Sequence, residues 1–144
     1  MAVYKKIIVG IDFSDKTERA VQAALSLAKA TGGTVVLVHV LPAAADGQRS
    51  APGSETEMTR TIEQRLQEQA QQLTTSSGIA VDYGVCEGDV VEEMVKYVER
   101  WGGDVVVAAS ESRTALGRLL VGSVAERLFQ ASPVPVLVVG HAVR

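Results

Sequence analysis

The sequence predicts an α/β fold, an open five-stranded parallel sheet with helices on both faces. Three observations predict it. Short apolar runs rich in β-branched residues alternate along the chain with longer amphipathic stretches. The strongest runs, Ile7-Ile8-Val9-Gly10-Ile11 and Val105-Val106-Val107, are apolar without interruption, as in strands covered on both faces. A chain of 144 residues, 47% hydrophobic and 22% charged, is of ordinary globular composition and fits one domain, expected over 1–144. Right-handed crossovers between parallel strands then put the helices on the two faces.

Ile7 to Ile11 reads as the first strand. Asp12-Phe13-Ser14 follows, with Ser14 suited to cap a helix over Glu18 to Ala30. Ala20, Ala24, Leu27 and Ala28 line one face of that helix, widened by Val21 and Leu25. Gly32-Gly33 can end it in a left-handed conformation. Thr34 to Val40 is the second strand, and Pro42 to Ser54 a small-residue polar loop. A long amphipathic helix runs from about Glu55 to Leu73, with Met58, Ile62, Leu66, Ala70 and Leu73 as its core stripe.

Ile79 to Cys86 is the third strand, less apolar and so suited to a sheet edge. Gly88-Asp89 opens a helix with Val91, Met94, Val95 and Val98 on its face. Asp104 to Ala109, Val124 to Ala131 and Pro135 to Val139 complete the series as strand, helix and strand.

The stretch between the last two strands points to a ligand. The apolar run ending at Ala108-Ala109 empties into a polar segment with Arg113 and Arg118, which leads through Gly122-Ser123 to a helix start. The first N–H groups of a helix lack partners and carry partial positive charge, so this arrangement captures anions. Phosphate on a nucleotide is the first candidate. Gly122 permits close backbone approach and Ser123 offers a hydroxyl. Both residues also suit a plain helix entry. In open α/β sheets ligands bind beyond the carboxyl ends of the strands, where strand order reverses. Asp12, at a strand end, is suited either to a turn or to accepting from ribose hydroxyls and base amino groups.

Residues 108–127, the opening Lys6-Ile7-Ile8-Val9-Gly10-Ile11-Asp12-Phe13-Ser14, the strand end Val38-His39-Val40 and the closing Ser132 to Val139 together resemble the universal stress protein family. The resemblance covers nearly the whole chain. It implies strand order 3-2-1-4-5 in a Rossmann-like sheet of the adenine nucleotide alpha hydrolase type. Members that bind adenine nucleotide carry a G-x2-G-x9-G-[ST] pattern. Aligned on Gly122-Ser123, its first glycine falls on Ala109 and its second on Ser112, with the spacing intact.

The resemblance implies that ATP or another adenine nucleotide, with Mg²⁺ at its phosphates, contacts Gly10, Asp12, Val40, Ala108, Ala109, Ser112, Arg113, Gly122, Ser123 and Val124. Val40 would act through its backbone at the adenine edge. Ala109 is tolerated there if its φ is negative, whereas Ser112 in a left-handed conformation would be strained by roughly 1 kcal/mol. Restoring glycine at both positions is expected to tighten binding by about fivefold. Glu111 beside phosphates is repulsive unless a cation bridges them or it turns outward. The alternative to nucleotide binding is a dimeric protein-interaction module that has lost it.

Other classes find little support. His39 lies inside an apolar run and reads as a satisfied sheet histidine, His141 as a solvated one. The single cysteine, Cys86, has no activating neighbour in sequence and excludes an intramolecular disulfide. G-x-S-x-G, H-E-x-x-H, C-x-x-C and P-loop patterns are missing, so no catalytic residue is assigned and slow ATP hydrolysis is the most that is expected. A net charge of −3 gives no general attraction to nucleic acid or anionic lipid. No apolar run approaches the ~18 residues of a membrane span, and the expected location is the cytoplasm. Val134 to Val139 is an uncharged apolar strand expected at a sheet edge, where a second copy would cover it. The resemblance implies the same homodimer contact, centred near Val136 and Val138.

Overall fold

The computed structural model describes residues 3–43, 54–110 and 123–140. The elements alternate as β1 (Lys6–Gly10), α1 (Asp15–Thr31), β2 (Thr34–Leu41), α2 (Ser54–Ser77), β3 (Val81–Glu87), α3 (Val90–Trp101), β4 (Val105–Ala109), α4 (Ser123–Ala131) and β5 (Val136–Val139). All sheet pairings are parallel and the order is β3-β2-β1-β4-β5, as expected.

The uninterrupted apolar runs are explained by two cores. Successive side chains of a strand point to opposite faces. Ile7 and Val9 of β1 enter one cluster with α1 and α2, through Ala20, Ala24, Leu66 and Ala70. Ile8 enters the other with α3 and α4, through Met94, Val98, Ala125 and Leu128. Ile7, Ile8 and Val9 are all fully buried. Alanines on α1 let it lie close to the sheet. The edge strand β3 is only partly buried along most of its length.

Element ends follow local chemistry. Gly32 closes α1 at φ 74°, its N–H bonded to the Ala28 carbonyl. Ser14 holds the N-cap position of α1 without making the expected side-chain cap. Its carbonyl instead accepts from Thr17 N–H at 3.2 Å and Thr17 Oγ1 at 2.9 Å, while its N–H donates to Asp12 Oδ1 at 2.8 Å. Asp89 does cap α3, accepting from Glu92 N–H at 3.0 Å.

The helix α2 runs past Leu73 to Ser77 because the hydroxyls of Thr74 and Ser77 bond back to the Ala70 and Leu73 carbonyls. Gly78, at φ 75°, then turns the chain, and Ile79 packs at the turn before β3 begins at Val81. One residue of the expected α2 stripe departs: Met58 is 61% exposed while Leu66 and Ala70 are buried. At 24 residues α2 is about 36 Å long. The seven-residue β3 beneath it spans about 23 Å, so the first turns of α2 overhang the sheet.

Strand order reverses between β1 and β4. The chain first builds outward through β2 and β3, then crosses to the other side for β4 and β5. The carboxyl ends of β1 and β4 therefore diverge into a crevice.

Candidate functional site

A cavity of about 210 Å³ occupies that crevice. Gly10, Ile11 and Asp12 line it from the end of β1, and Ala108, Ala109 and Ser110 from the end of β4. Its apolar wall comes from Val38 and Val40 of β2, Val90 and Met94 of α3, and Val124, Ala125 and Leu128 of α4. Thr17 and His39 add polar groups. The site is an apolar slot bordered by hydroxyl, imidazole and carboxylate, a composition that suits a flat heteroaromatic ring carrying a polar tail.

Local geometry shapes each wall. A Cβ on Gly10 would lie 3.5 Å from Met94 Cε, an ordinary van der Waals contact, so the end of the Met94 side chain from α3 packs close to the end of β1. Ile11 N–H donates to the Val38 carbonyl at 2.8 Å, prolonging the β1–β2 ladder beyond Gly10. Asp12 is exposed, with Oδ1 accepting from Ser14 N–H. Phe13 then adopts φ 63°, a left-handed conformation costing a non-glycine residue roughly 1 kcal/mol. Its ring is held between His39, with centroids 4.9 Å apart, and the Arg65 guanidinium, 4.2 Å from the ring centre. Aromatic and cation–π contacts of this kind offset the backbone strain.

Ala109 is an ordinary β4 residue, registered with Val139 of β5. The described non-glycine residues with positive φ are Tyr4 and Phe13, so alanine at 109 carries no left-handed strain. Ser110 is 2% exposed, and its Oγ has no hydrogen-bond partner among the described residues. Leaving a buried hydroxyl unpaired costs about 1–3 kcal/mol.

Of the residues singled out in the sequence, Gly10, Asp12, Val40, Ala108, Ala109 and Val124 line this one cavity. Ser123 opens α4 beside Val124. Glu111, Ser112, Arg113, Arg118, Gly122 and His141 lie outside the described residues. Sequence reasoning missed Ser110, Thr17 and Met94 as lining residues. Met94 was legible only as a member of the α3 core stripe, and a deep core position at the end of a sheet is also a cavity wall. His39 is a satisfied sheet histidine as expected, its Nδ1 2.6 Å from the Ile11 carbonyl oxygen, and it lines the cavity as well.

Among the described residues no helix is long and apolar enough to cross a membrane, and no group of three or more His, Cys, Asp or Glu side chains is arranged to hold a metal ion. Cys86 is half-buried, and burial raises its thiol pKa, with the charge of Glu93 adding to the effect.

Comparison with known proteins gives a consistent result. Residues 3–140 match the model of the universal stress protein family. A universal stress protein of Methanocaldococcus jannaschii is 29% identical over 140 residues, covering 95% of this chain and 82% of that protein. A solved structure of a universal stress protein family member from Burkholderia pseudomallei superposes with a TM-score of 0.75 at 28% identity, covering 94% of this chain and 96% of the other. The universal stress protein of Archaeoglobus fulgidus in complex with dAMP shares the fold, with a TM-score of 0.66 at 22% identity over 94% of this chain and 98% of the other.

Proposed function

The chain belongs to the universal stress protein family, and from that premise we propose that it is a regulatory or stress-response module that binds ATP or another adenine nucleotide at the carboxyl end of its sheet. The observation that carries the proposal is the cavity between β1 and β4, whose apolar lining is joined by Asp12 and by Val124 of the first turn of α4. The slot accommodates the base, with the Val40 backbone at its edge. Asp12 accepts from the ribose hydroxyls. The phosphates lie toward the α4 N-terminus, where unpaired N–H groups and the helix dipole favour negative charge, with Gly122, Ser123, Ser112 and Arg113 as the proposed contacts. Mg²⁺ binds through phosphate oxygens. A relative of the same fold is a complex with dAMP, which supports an adenine nucleotide as the ligand class.

Titration calorimetry with ATP and Mg²⁺ tests the reading. Millimolar-range or tighter binding is expected, and Gly122→Asp is expected to abolish it through steric block and charge repulsion. Absence of binding by the wild-type protein overturns it.

The second reading, a dimeric interaction module, draws on a separate observation. The outer backbone edge of β5 has no strand beside it among the described residues, and Leu137 is 43% exposed. Phe129, on α4, is 73% exposed. We propose that a second copy of the chain covers this edge, and the two readings are compatible in one protein.

A further inference from the structure

Phe13 combines a strained backbone with a clamped ring. Its φ of 63° lies in the left-handed region, which disfavours a bulky side chain. Strain of this kind persists only where surrounding contacts hold it, and it gathers at functional sites. Phe13 is the middle residue of the turn Asp12-Phe13-Ser14, closed by Asp12 Oδ1 accepting from Ser14 N–H at 2.8 Å. A return of Phe13 to negative φ would redirect the chain between Asp12 and Ser14 and break that bond. The Asp12 carboxylate would then lose its fixed place at the cavity it lines. Two contacts hold the ring against this. His39 of β2 packs on it, with centroids 4.9 Å apart, and the Arg65 guanidinium lies 4.2 Å from the ring centre. Arg65 belongs to α2 and is not among the residues that line the crevice cavity. With Phe13 it lines a separate groove of about 470 Å³ between α1 and α2. Topology opens that groove. Helix α1 packs on β1 and β4 while α2 packs on β3, which sets the helices about 10–12 Å apart, wider than the 8–10 Å of direct helix contact. Arg65 bridges the gap, and its neighbour Leu66 is fully buried and anchors the helix that supplies it.

We propose that Arg65 is a positioning residue for nucleotide binding. It acts from outside the cavity by holding Phe13, and through Phe13 the Asp12 carboxylate, in the binding geometry. The inference rests on the nucleotide reading above and adds to it a control point on the outer surface of α2. The guanidinium suits the task because it is planar, permanently charged and weakly hydrated, so it keeps to the face of the ring. Asp12 Oδ1 is committed to the turn, which leaves Oδ2 to accept from the ligand. The size of the effect is bounded by the strength of one exposed cation–π contact, which sets a scale of about threefold in affinity.

The test is calorimetry with Mg-ATP on the wild type, Arg65→Ala, Phe13→Leu and the double variant, at about 0.05 M and about 0.5 M salt. Leucine at 13 keeps apolar bulk and the left-handed strain but removes the ring face. Arg65→Ala is expected to bind about threefold more weakly than wild type at both salt concentrations. In the Phe13→Leu background the same change should alter affinity by less than about 1.5-fold, because the ring that transmits it is gone. A loss seen at low salt and gone at high salt overturns the proposal, since Arg65 then acts as a distant charge on the phosphates. A full threefold loss in the Phe13→Leu background also overturns it, since the ring is then not the intermediary. Where Phe13→Leu fails to fold or to bind, the salt comparison on Arg65→Ala decides alone. Equal affinities of wild type and Arg65→Ala overturn the positioning role while leaving nucleotide binding intact. Failure of the wild type itself to bind overturns the nucleotide reading and the role of Arg65 together, a result distinct from equal binding.

Discussion

His39 and Ile11 tie the ends of two neighbouring strands together beside the cavity. The ring nitrogen Nδ1 lies 2.6 Å from the Ile11 carbonyl oxygen. A carbonyl only accepts, so Nδ1 carries the proton, and in the neutral ring Nε2 is left as an acceptor. The bond fixes the chain one residue before Asp12, and the same ring packs on Phe13. His39→Ala is expected to lower stability by about 1–2 kcal/mol and to weaken ATP binding through the displaced Asp12. Urea unfolding and calorimetry check the two effects, and an unchanged affinity would mean that Asp12 is positioned without His39.

Two glycines make a contrasting pair. A Cβ on Gly33 would fall 2.5 Å from the Lys5 carbonyl oxygen, a backbone atom at the start of the β1–β2 pairing. Thr34 N–H also donates to that oxygen, at 2.7 Å, so the strand cannot retreat without losing a ladder bond. Gly78 has open space around its position and only a φ of 75° to defend. Gly78→Ala is expected to cost about 1–2 kcal/mol from left-handed strain alone. Gly33→Ala should cost more, roughly 2–4 kcal/mol. Denaturant midpoints of the two variants measure the difference, and similar values would show that β1 yields easily.

The ion pair between Asp89 and Arg127 joins α3 to α4, with Arg127 Nη2 2.9 Å from Asp89 Oδ2. The Arg127 hydrogen bond, followed by the Glu92 N–H, holds the Asp89 carboxyl below its ordinary pKa. A depressed folded pKa stabilises the fold above the unfolded value, about 3.9, and the effect fades as pH falls through the folded value. The pair is exposed, so its contribution is small. Asp89→Asn keeps a capping oxygen and removes the titration. The Tm advantage of wild type over this variant should be constant from pH 7 to about 5 and should shrink below about pH 4. A difference that persists at pH 2 would assign the effect to the cap and not to the charge.

The sheet was legible because its central strands are buried on both faces, which leaves runs such as Ile7 to Val9 with no polar residue to confuse the pattern. The edge strand β3 was legible for the opposite reason, its mixture of Asp82, Tyr83 and Gly84. Helix ends were less legible. The extension of α2 to Ser77 depends on hydroxyls bonding back to carbonyls, and such residues stop helices as readily as they continue them. At the site, Asp12 stood out as a carboxylate at a strand end. Ser110 did not, because an unpaired hydroxyl is a property of packing and leaves no mark on residue type or spacing.

Ala109 offers a direct test of the glycine pattern. Alanine sits in β4 at negative φ, registered with Val139, so it is not strained. Restoring glycine at 109 alone should therefore give no gain in ATP affinity and should lower stability by roughly 0.5–1 kcal/mol through added chain entropy. Any tightening from a variant with glycine at both 109 and 112 should come from Ser112→Gly. Calorimetry on the two single variants separates them, and a gain of several-fold from Ala109→Gly would show that its Cβ meets the ligand.

The final prediction concerns the open edge. Val136 and Val138 pack partly against the α3–α4 core, so their side chains belong first to the fold. Leu137 points to the other face and is 43% exposed. On α4, Ala125 and Leu128 face the sheet, while Arg127 and Ala131 line the groove toward α3. Helical spacing then puts Phe129 on the flank turned away from α3, the side of β5. The unpaired strand edge is thus flanked by an exposed leucine on one face of the sheet and by the α4 helix with its exposed phenylalanine on the other, an edge that a two-fold copy can pair and bury. Charged residues at Val136 and Val138 would disturb core and edge alike, so the informative variant is Leu137→Glu with Phe129→Glu. Both positions are exposed, and each change should alter the stability of an isolated chain by only about 0.5 kcal/mol. Sedimentation should show a dimer for the wild type and a folded monomer for the variant at micromolar concentration. A wild-type chain that sediments as a monomer overturns the expectation, as does a variant that remains fully dimeric.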